Sequence, residues 1–139
     1  MVQGRQVYSG ALGWAGFSRR MNTTTDGFYP QPVTITGAHV LLEPLGIHHA
    51  TDLHAAGADP DVWRYLPIPQ PANLTDTQIW IYAAVTAGVK GDEVPFAIVH
   101  RATRQAIGST RFIDIRREHR GLEIGWTWLD SRHHRTRAN

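Results

Sequence analysis

Two places in the sequence carry side chains able to do chemistry. Glu123 stands in Leu122-Glu123-Ile124-Gly125-Trp126-Thr127-Trp128-Leu129, a run that is otherwise apolar, aromatic or small. A carboxylate on a partly buried strand face has its neutral form favoured by desolvation, and a base tuned in this way accepts a proton near neutral pH. The alternative is a carboxylate at the rim of the sheet, paired with Arg111 or Arg120. The second place is Arg132-His133-His134-Arg135-Thr136-Arg137-Ala138-Asn139, directly after that run. A donor-rich loop at the end of a strand is a place where phosphate can bind. From Arg111 to Asn139 seven arginines stand against four acids, whereas the whole chain carries a net charge of only +2. Such a local excess fits an anionic partner or a solvated tail.

Other chemistries lack their residues. There is no cysteine, so a disulfide scaffold, a thiolate metal site and a cysteine nucleophile are excluded, and a reducing, cytoplasmic setting is expected. Of the eight histidines, His48, His49 and His54 share one predicted helix, but their spacings of one, five and six do not give the i,i+4 pair that a helical zinc site uses. His133 and His134 are adjacent, which serves one ion poorly, so no metal is expected. Neither a Gly-x-Ser-x-Gly elbow nor a phosphate loop ending in Gly-Lys-Ser/Thr occurs. No stretch is long and apolar enough to span a membrane.

The elements that must position these residues follow from periodicity. Residues 1–32 are rich in Gly, Ser, Thr and Pro without an apolar period, and are expected to be a poorly ordered arm, with Met1 or Met21 as the start. Residues 33–139 form one domain. Ala38–Glu43 predicts a strand stopped by Pro44, and Gly46–Ala56 a helix ended by Gly57. Asp59-Pro60 caps a short turn over Asp61–Tyr65, and Pro67, Pro69 and Pro71 enforce an extended loop. Thr75 to Gln78 matches a capping box that opens a helix to about Ala87, stopped at Gly88 or Gly91, with Ile79, Tyr82, Ala83 and Thr86 along one face. Val94–His100, Ala106–Ile115 and Leu122–Leu129 then predict three strands at hairpin spacing. Strict alternation in the last strand puts Leu122, Ile124, Trp126 and Trp128 on one side and Glu123, Gly125, Thr127 and Leu129 on the other. Strand, two helices and a three-strand antiparallel meander make an α+β protein.

Five segments together resemble the GNAT acetyltransferases, in particular the branch of RimJ/RimL-like ribosomal-protein N-terminal acetyltransferases. They are His39-Val40-Leu41-Leu42-Glu43-Pro44-Leu45, Asp61-Val62-Trp63-Arg64-Tyr65, Pro95-Phe96-Ala97-Ile98, Ile107-Gly108-Ser109-Thr110-Arg111-Phe112 and Glu123-Ile124-Gly125-Trp126-Thr127-Trp128-Leu129. The resemblance runs from about Val33 to Asn139, and its last two segments are the most specific. It implies the acyl-CoA N-acyltransferase fold, with acetyl-CoA as cosubstrate and a primary amine as acceptor, and no metal. The family's fourth strand, which falls on Leu122–Leu129, holds the pantetheine arm with free backbone groups, and the loop after it takes the pyrophosphate. By position, Trp126, Thr127, Trp128 and Leu129 line the pantetheine. Arg135, Thr136, Arg137, Ala138 and Asn139 lie at the pyrophosphate, and Glu123 matches a position where some relatives place a base or an amine-binding carboxylate. The amine, relieved of its proton by Glu123 or by a water it holds, attacks the thioester carbonyl while backbone N–H groups stabilise the oxyanion.

Two departures from the family stand out. Arg135 and Arg137 occupy places where glycines usually let the backbone approach phosphate, so their side chains are expected to bind it instead. The helices and strands that the family places after this loop have no counterpart before Asn139, so the domain is expected to be incomplete, and weak or inactive alone. Its last strand would then expose Trp126 and Trp128 on an open edge, leading to self-association as a dimer. The alternatives are an interaction module that uses this half-fold without catalysis, and a basic nucleic-acid binder. The second is disfavoured because the aromatic residues do not interleave with the basic ones.

Overall fold

The computed structural model describes residues 27–139. Most of the expected N-terminal arm, and the choice between Met1 and Met21, lies outside the described residues. In residues 27–32, which the sequence assigns to that arm, the Arg117 guanidinium lies 5.1 Å from the centre of the Tyr29 ring, and the Tyr29 carbonyl accepts from Gln31 Nε2 at 3.3 Å.

Five strands form one antiparallel sheet in chain order: β1 (Ile35–Thr36), β2 (Val40–Pro44), β3 (Val94–His100), β4 (Ala106–Arg116) and β5 (Gly121–Leu129). The sequence reading misses β1, whose two residues are too few to show a period. The long connection from β2 to β3 carries α1 (Ala50–Ala56) and α2 (Leu74–Lys90). Leu53, Ile81 and Ala84 from these helices pack with Leu41, Ala97, Val99 and Trp128 of the sheet, which makes the main core. A smaller cluster of Ile98, Ile107 and Leu129 lies on the opposite face, with Ala138 folded against it.

Local chemistry fixes the helix ends. Asn73, not Thr75, caps α2, its side-chain oxygen accepting from the Asp76 N–H at 2.9 Å. Gly91 ends the helix at φ +81°, a left-handed conformation that favours glycine. The buried stripe is Thr77, Ile81 and Ala84, whereas Ile79 and Tyr82, on the face the sequence picks out, are 62% and 74% exposed. Both stripes have helical spacing. The small residues at 77 and 84 let α2 sit close to its neighbours, and hydropathy alone does not reveal that.

The strict alternation expected of β5 does not hold. Gly108 pairs with Leu129 and Ser109 with Trp128, but Arg111 pairs with Gly125, so β5 carries one extra residue opposite Thr110. Trp126 takes up this bulge at φ +52°. Alternation therefore breaks. Trp128 is buried at 4% exposure and Leu129 is buried on the other face, while Ile124 is 70% exposed. The expectation that Trp126 and Trp128 are both bare on an open edge fails for Trp128, whose ring stacks with Trp63 at 4.9 Å between ring centres. Gly108 permits the close pairing, because a Cβ there would meet the Trp128 carbonyl oxygen and lie 3.0 Å from the Leu129 Cα.

Candidate functional site

β5 is the outermost strand, and among the described residues no strand pairs with its outer edge. Peptide groups facing outward there need partners from water or a ligand. The bulge at Trp126 turns the backbone in the middle of this edge. On the inner side the hydroxyls of Thr110 and Thr127 meet at 2.8 Å, and the Ser109 hydroxyl donates to the Phe96 carbonyl at 2.8 Å. The first of these bonds ties β5 to β4 and the second ties β4 to β3, while the other edge of β5 stays open.

Beside the bulge lies a buried arginine. The Arg111 guanidinium sits 4.6 Å from the Trp126 ring centre and 5.3 Å from that of Trp80. Its Nη1 donates to Glu93 Oε2 at 2.8 Å, and the residue is 4% exposed. The expected pairing of Arg111 with Glu123 does not occur. Glu123 lies on the same face, but its side chain is 60% exposed, with Arg116 Nη2 at 4.0 Å. It is thus a rim carboxylate in open solvent, not one on a partly buried face.

The segment after β5 turns through a short 3₁₀ helix, Ser131–His133, capped by Asp130. The carboxylate of Asp130 is buried and grips Arg132, accepting from its backbone N–H at 2.9 Å and from Nη2 at 2.6 Å. Hydrogen bonding from the Arg132 side chain holds Asp130 below the usual carboxylate range. Arg132 is therefore spent on structure. The next turn has Arg135 at φ +58°, the region glycine enters freely. Thr136 Oγ1 donates to the His133 carbonyl at 2.8 Å and accepts from the Ala138 N–H at 3.2 Å. The Asn139 N–H donates to the Thr136 carbonyl at 3.3 Å. Ala138 and Asn139 thus turn their amides inward, and Arg135 and Arg137 are exposed, with no ion pair among the described residues.

Two other features lie away from β5. Glu43, His48 and His49 bring potential ligand atoms within 4.8 Å of one another, a group that histidine spacing alone does not reveal. His49 Nδ1 accepts from the Gly46 N–H at 3.2 Å, its Nε2 faces Glu43 Oε2 at 3.4 Å, and Arg104 holds the other Glu43 oxygen at 3.0 Å. Both imidazole nitrogens are engaged, so the group reads as a structural network. Burial holds the His49 pKa below its ordinary value. A broad apolar hollow of about 380 Å³ lies over Ile47, Ile79 and Tyr82.

The family of the acetyltransferase (GNAT) domain matches residues 39–138. The chain belongs to the GNAT acetyltransferase family. Among solved structures, a GCN5-related N-acetyltransferase from Brucella melitensis is similar at 23% identity and a TM-score of 0.68, over 78% of this chain and 50% of that one. A probable GNAT-family acetyltransferase from Chromobacterium violaceum ATCC 12472 shares 21% identity at a TM-score of 0.69, over 89% of this chain and 62% of that one. RimL, a ribosomal L7/L12 alpha-N-protein acetyltransferase in complex with coenzyme A, shares 19% identity at a TM-score of 0.61, over 73% of this chain and 58% of that one. These likenesses establish the fold. The chain spans between half and about three-fifths of the length of these proteins. No curated protein matches its sequence.

Proposed function

We propose that this GNAT chain binds acetyl-CoA along the outer edge of β5 and serves acetyl transfer to a primary amine, as in the RimJ/RimL-like branch, where the acceptor is a protein N-terminus. The observation that carries the proposal is the open, bulged edge of β5 in a chain whose residues 39–138 match the family. Acetyl-CoA supplies the acetyl thioester. Its pantetheine arm is rich in amides, and the outward-facing backbone groups between Trp126 and Trp128 offer the complementary N–H and carbonyl groups, while the Leu129 carbonyl is taken by His134 Nε2 at 2.9 Å. The side chains of Trp128 and Leu129 point into the cores and take no part. Arg135 and Arg137 supply charge-assisted bonds to the pyrophosphate. The left-handed turn at Arg135 keeps the backbone shape a glycine would give, which supports carrying the phosphate role onto this loop.

Glu123 is on the Arg111 face of β5, two residues from Gly125, in contact with solvent. It accepts the ammonium proton through water, and the free amine is then the nucleophile. Isothermal titration of the chain with acetyl-CoA, followed by an acetylation assay on peptides with free N-termini, tests this reading. Heat of binding that an Arg135→Ala, Arg137→Ala variant loses supports it. Equal binding by the variant removes the arginines from the site. Over the length it spans, the chain is expected to bind acetyl-CoA weakly and to pair with a second copy through the outer edge of β5. Sedimentation across a concentration series reads that pairing.

A further inference from the structure

Trp126 combines two features that do not ordinarily meet. Trp126 and Thr127 stand opposite the single Thr110, which makes a bulge, and a left-handed first residue in such a bulge is ordinarily glycine. Of the five non-glycine residues with positive φ among the described residues, Trp126 is the only aromatic one. Gly125 pairs with Arg111 and shares its face of the sheet, so in an unbroken strand Trp126 would point to the other face. The turn at φ +52° instead returns the ring to the Arg111 side, 4.6 Å from the guanidinium. Ring placement and backbone turn are thus one event.

The cation does not depend on Trp126 for its place. Glu93 Oε2 accepts from Arg111 Nη1 at 2.8 Å, the centre of the Trp80 ring on α2 lies 5.3 Å away, and Arg111 is 4% exposed. A desolvated cation attracts a ring face more strongly than an exposed one. Resting on the acetyl-transfer reading of the same edge, we propose that Arg111 is a positioning residue, whose buried cation draws the Trp126 ring across β5 and so holds the left-handed turn at the edge offered to the pantetheine. No bond forms or breaks at Arg111. Without the cation, the extended conformation is favoured at Trp126, and the outward-facing groups from Trp126 to Trp128 change direction.

The test reads φ at position 126 and acetyl-CoA affinity in the same chain. The three-bond coupling between amide and α protons is larger in an extended strand than at φ +52°, so NMR of the ¹⁵N-labelled chain follows the turn directly. The variant is Glu93→Gln, Arg111→Met, which removes the cation without stranding a buried carboxylate. Its coupling at Trp126 is expected to rise to that of an extended strand, while most of its stability is kept. Its acetyl-CoA affinity should fall about tenfold, as when the competent backbone is populated about one-tenth of the time. A merely structural ion pair would leave coupling and affinity at their parental values in this variant. Trp126→Leu removes the ring and leaves the ion pair intact, so it serves if the double variant fails to fold; the coupling at position 126 should rise there too. In a Trp126→Gly background the turn needs no support, and Glu93→Gln, Arg111→Met should no longer weaken acetyl-CoA binding. An unchanged coupling in the double variant or in Trp126→Leu, or a tenfold loss repeated in the glycine background, would overturn the proposal. A parent chain that does not bind acetyl-CoA removes the acetyl-transfer reading instead, and the couplings still decide whether Arg111 sets the turn.

Discussion

The ion pair between Arg111 and Glu93 offers a quantitative check on the site. Glu93→Gln removes the charge but keeps the shape and one oxygen. Arg111 is 4% exposed, and its Nη1 donates to Glu93 at 2.8 Å. Leaving a buried charge without its partner typically costs about 3–5 kcal/mol. Two things reduce this here. The Gln oxygen still accepts a bond from a charged donor, worth about 1.5 kcal/mol at the low end, and the rings of Trp80 and Trp126 continue to face the cation. The Glu93 side chain is also 21% exposed, so water reaches the pair on one side. A loss of about 2–3 kcal/mol remains, which for a domain of this size lowers Tm by about 6–12 °C. Urea unfolding followed by tryptophan fluorescence measures it. In the double variant Glu93→Gln, Arg111→Met the charge is gone from both sides, and most of the loss should return. A single variant within about 0.5 kcal/mol of the parent, on the scale of an exposed pair, would refute a desolvated pair. A double variant no better than the single would do the same.

Further outcomes follow from other parts of the fold. Gly108→Ala should cost at least about 1–3 kcal/mol in urea unfolding, as overpacking does, because the new Cβ would meet the β5 backbone; an unchanged midpoint would mean the pairing of β4 and β5 is looser than described. Ile81→Ala should cost about 2–5 kcal/mol and Ile79→Lys almost nothing, since only Ile81 is buried; the reverse order would restore the other face of α2 to the core. His49, whose folded pKa is lowered by burial, binds its proton more readily unfolded, so its contribution is complete above the ordinary value of 6.5 and declines as pH falls below it. Replacement by Gln should flatten the acid side of the stability profile, and an unchanged profile contradicts the burial. Glu123→Gln should reduce acetylation most at low pH, where the amine most needs a base, by up to about 10²–10⁴-fold for a direct general base and less through water; equal rates across pH would leave Glu123 as a rim residue only.

Much of the fold is legible in the sequence because it rests on local punctuation. Val94–His100 is recovered to the residue, and β4 and β5 to within one residue at one end, since turns bound each apolar run. Side-chain placement on β5 is not legible. A bulge is set by the partner strand: the gap opposite Thr110 exists because Gly108 draws Trp128 and Leu129 close while Gly125 pairs with Arg111. No period within Leu122–Leu129 encodes that. The sequence suggests Glu123 as the acid that pairs with Arg111. Its true partner, Glu93, lies just before the neighbouring strand β3, a pairing that becomes visible once Pro95 is set against Arg111. The same shift in register puts Glu123 on the Arg111 face, and its exposure comes from its place at an end of β5 where Ile124, on the other face, is exposed as well. The Arg-rich end reads correctly as an exposed cationic loop, but Arg132 is lost to Asp130, and the left-handed turn at Arg135 could not be inferred from an arginine.

The central claim is that acetyl-CoA lies along the outer edge of β5 and reaches the loop beyond it. Backbone amide shifts of the ¹⁵N-labelled chain, recorded while acetyl-CoA is added, test it most directly. The account predicts saturable shifts confined to Trp126–Leu129 and Arg135–Asn139 and their immediate neighbours on β4. Shifts centred on the hollow over Ile47, Ile79 and Tyr82, or no shifts at millimolar acetyl-CoA, would contradict it.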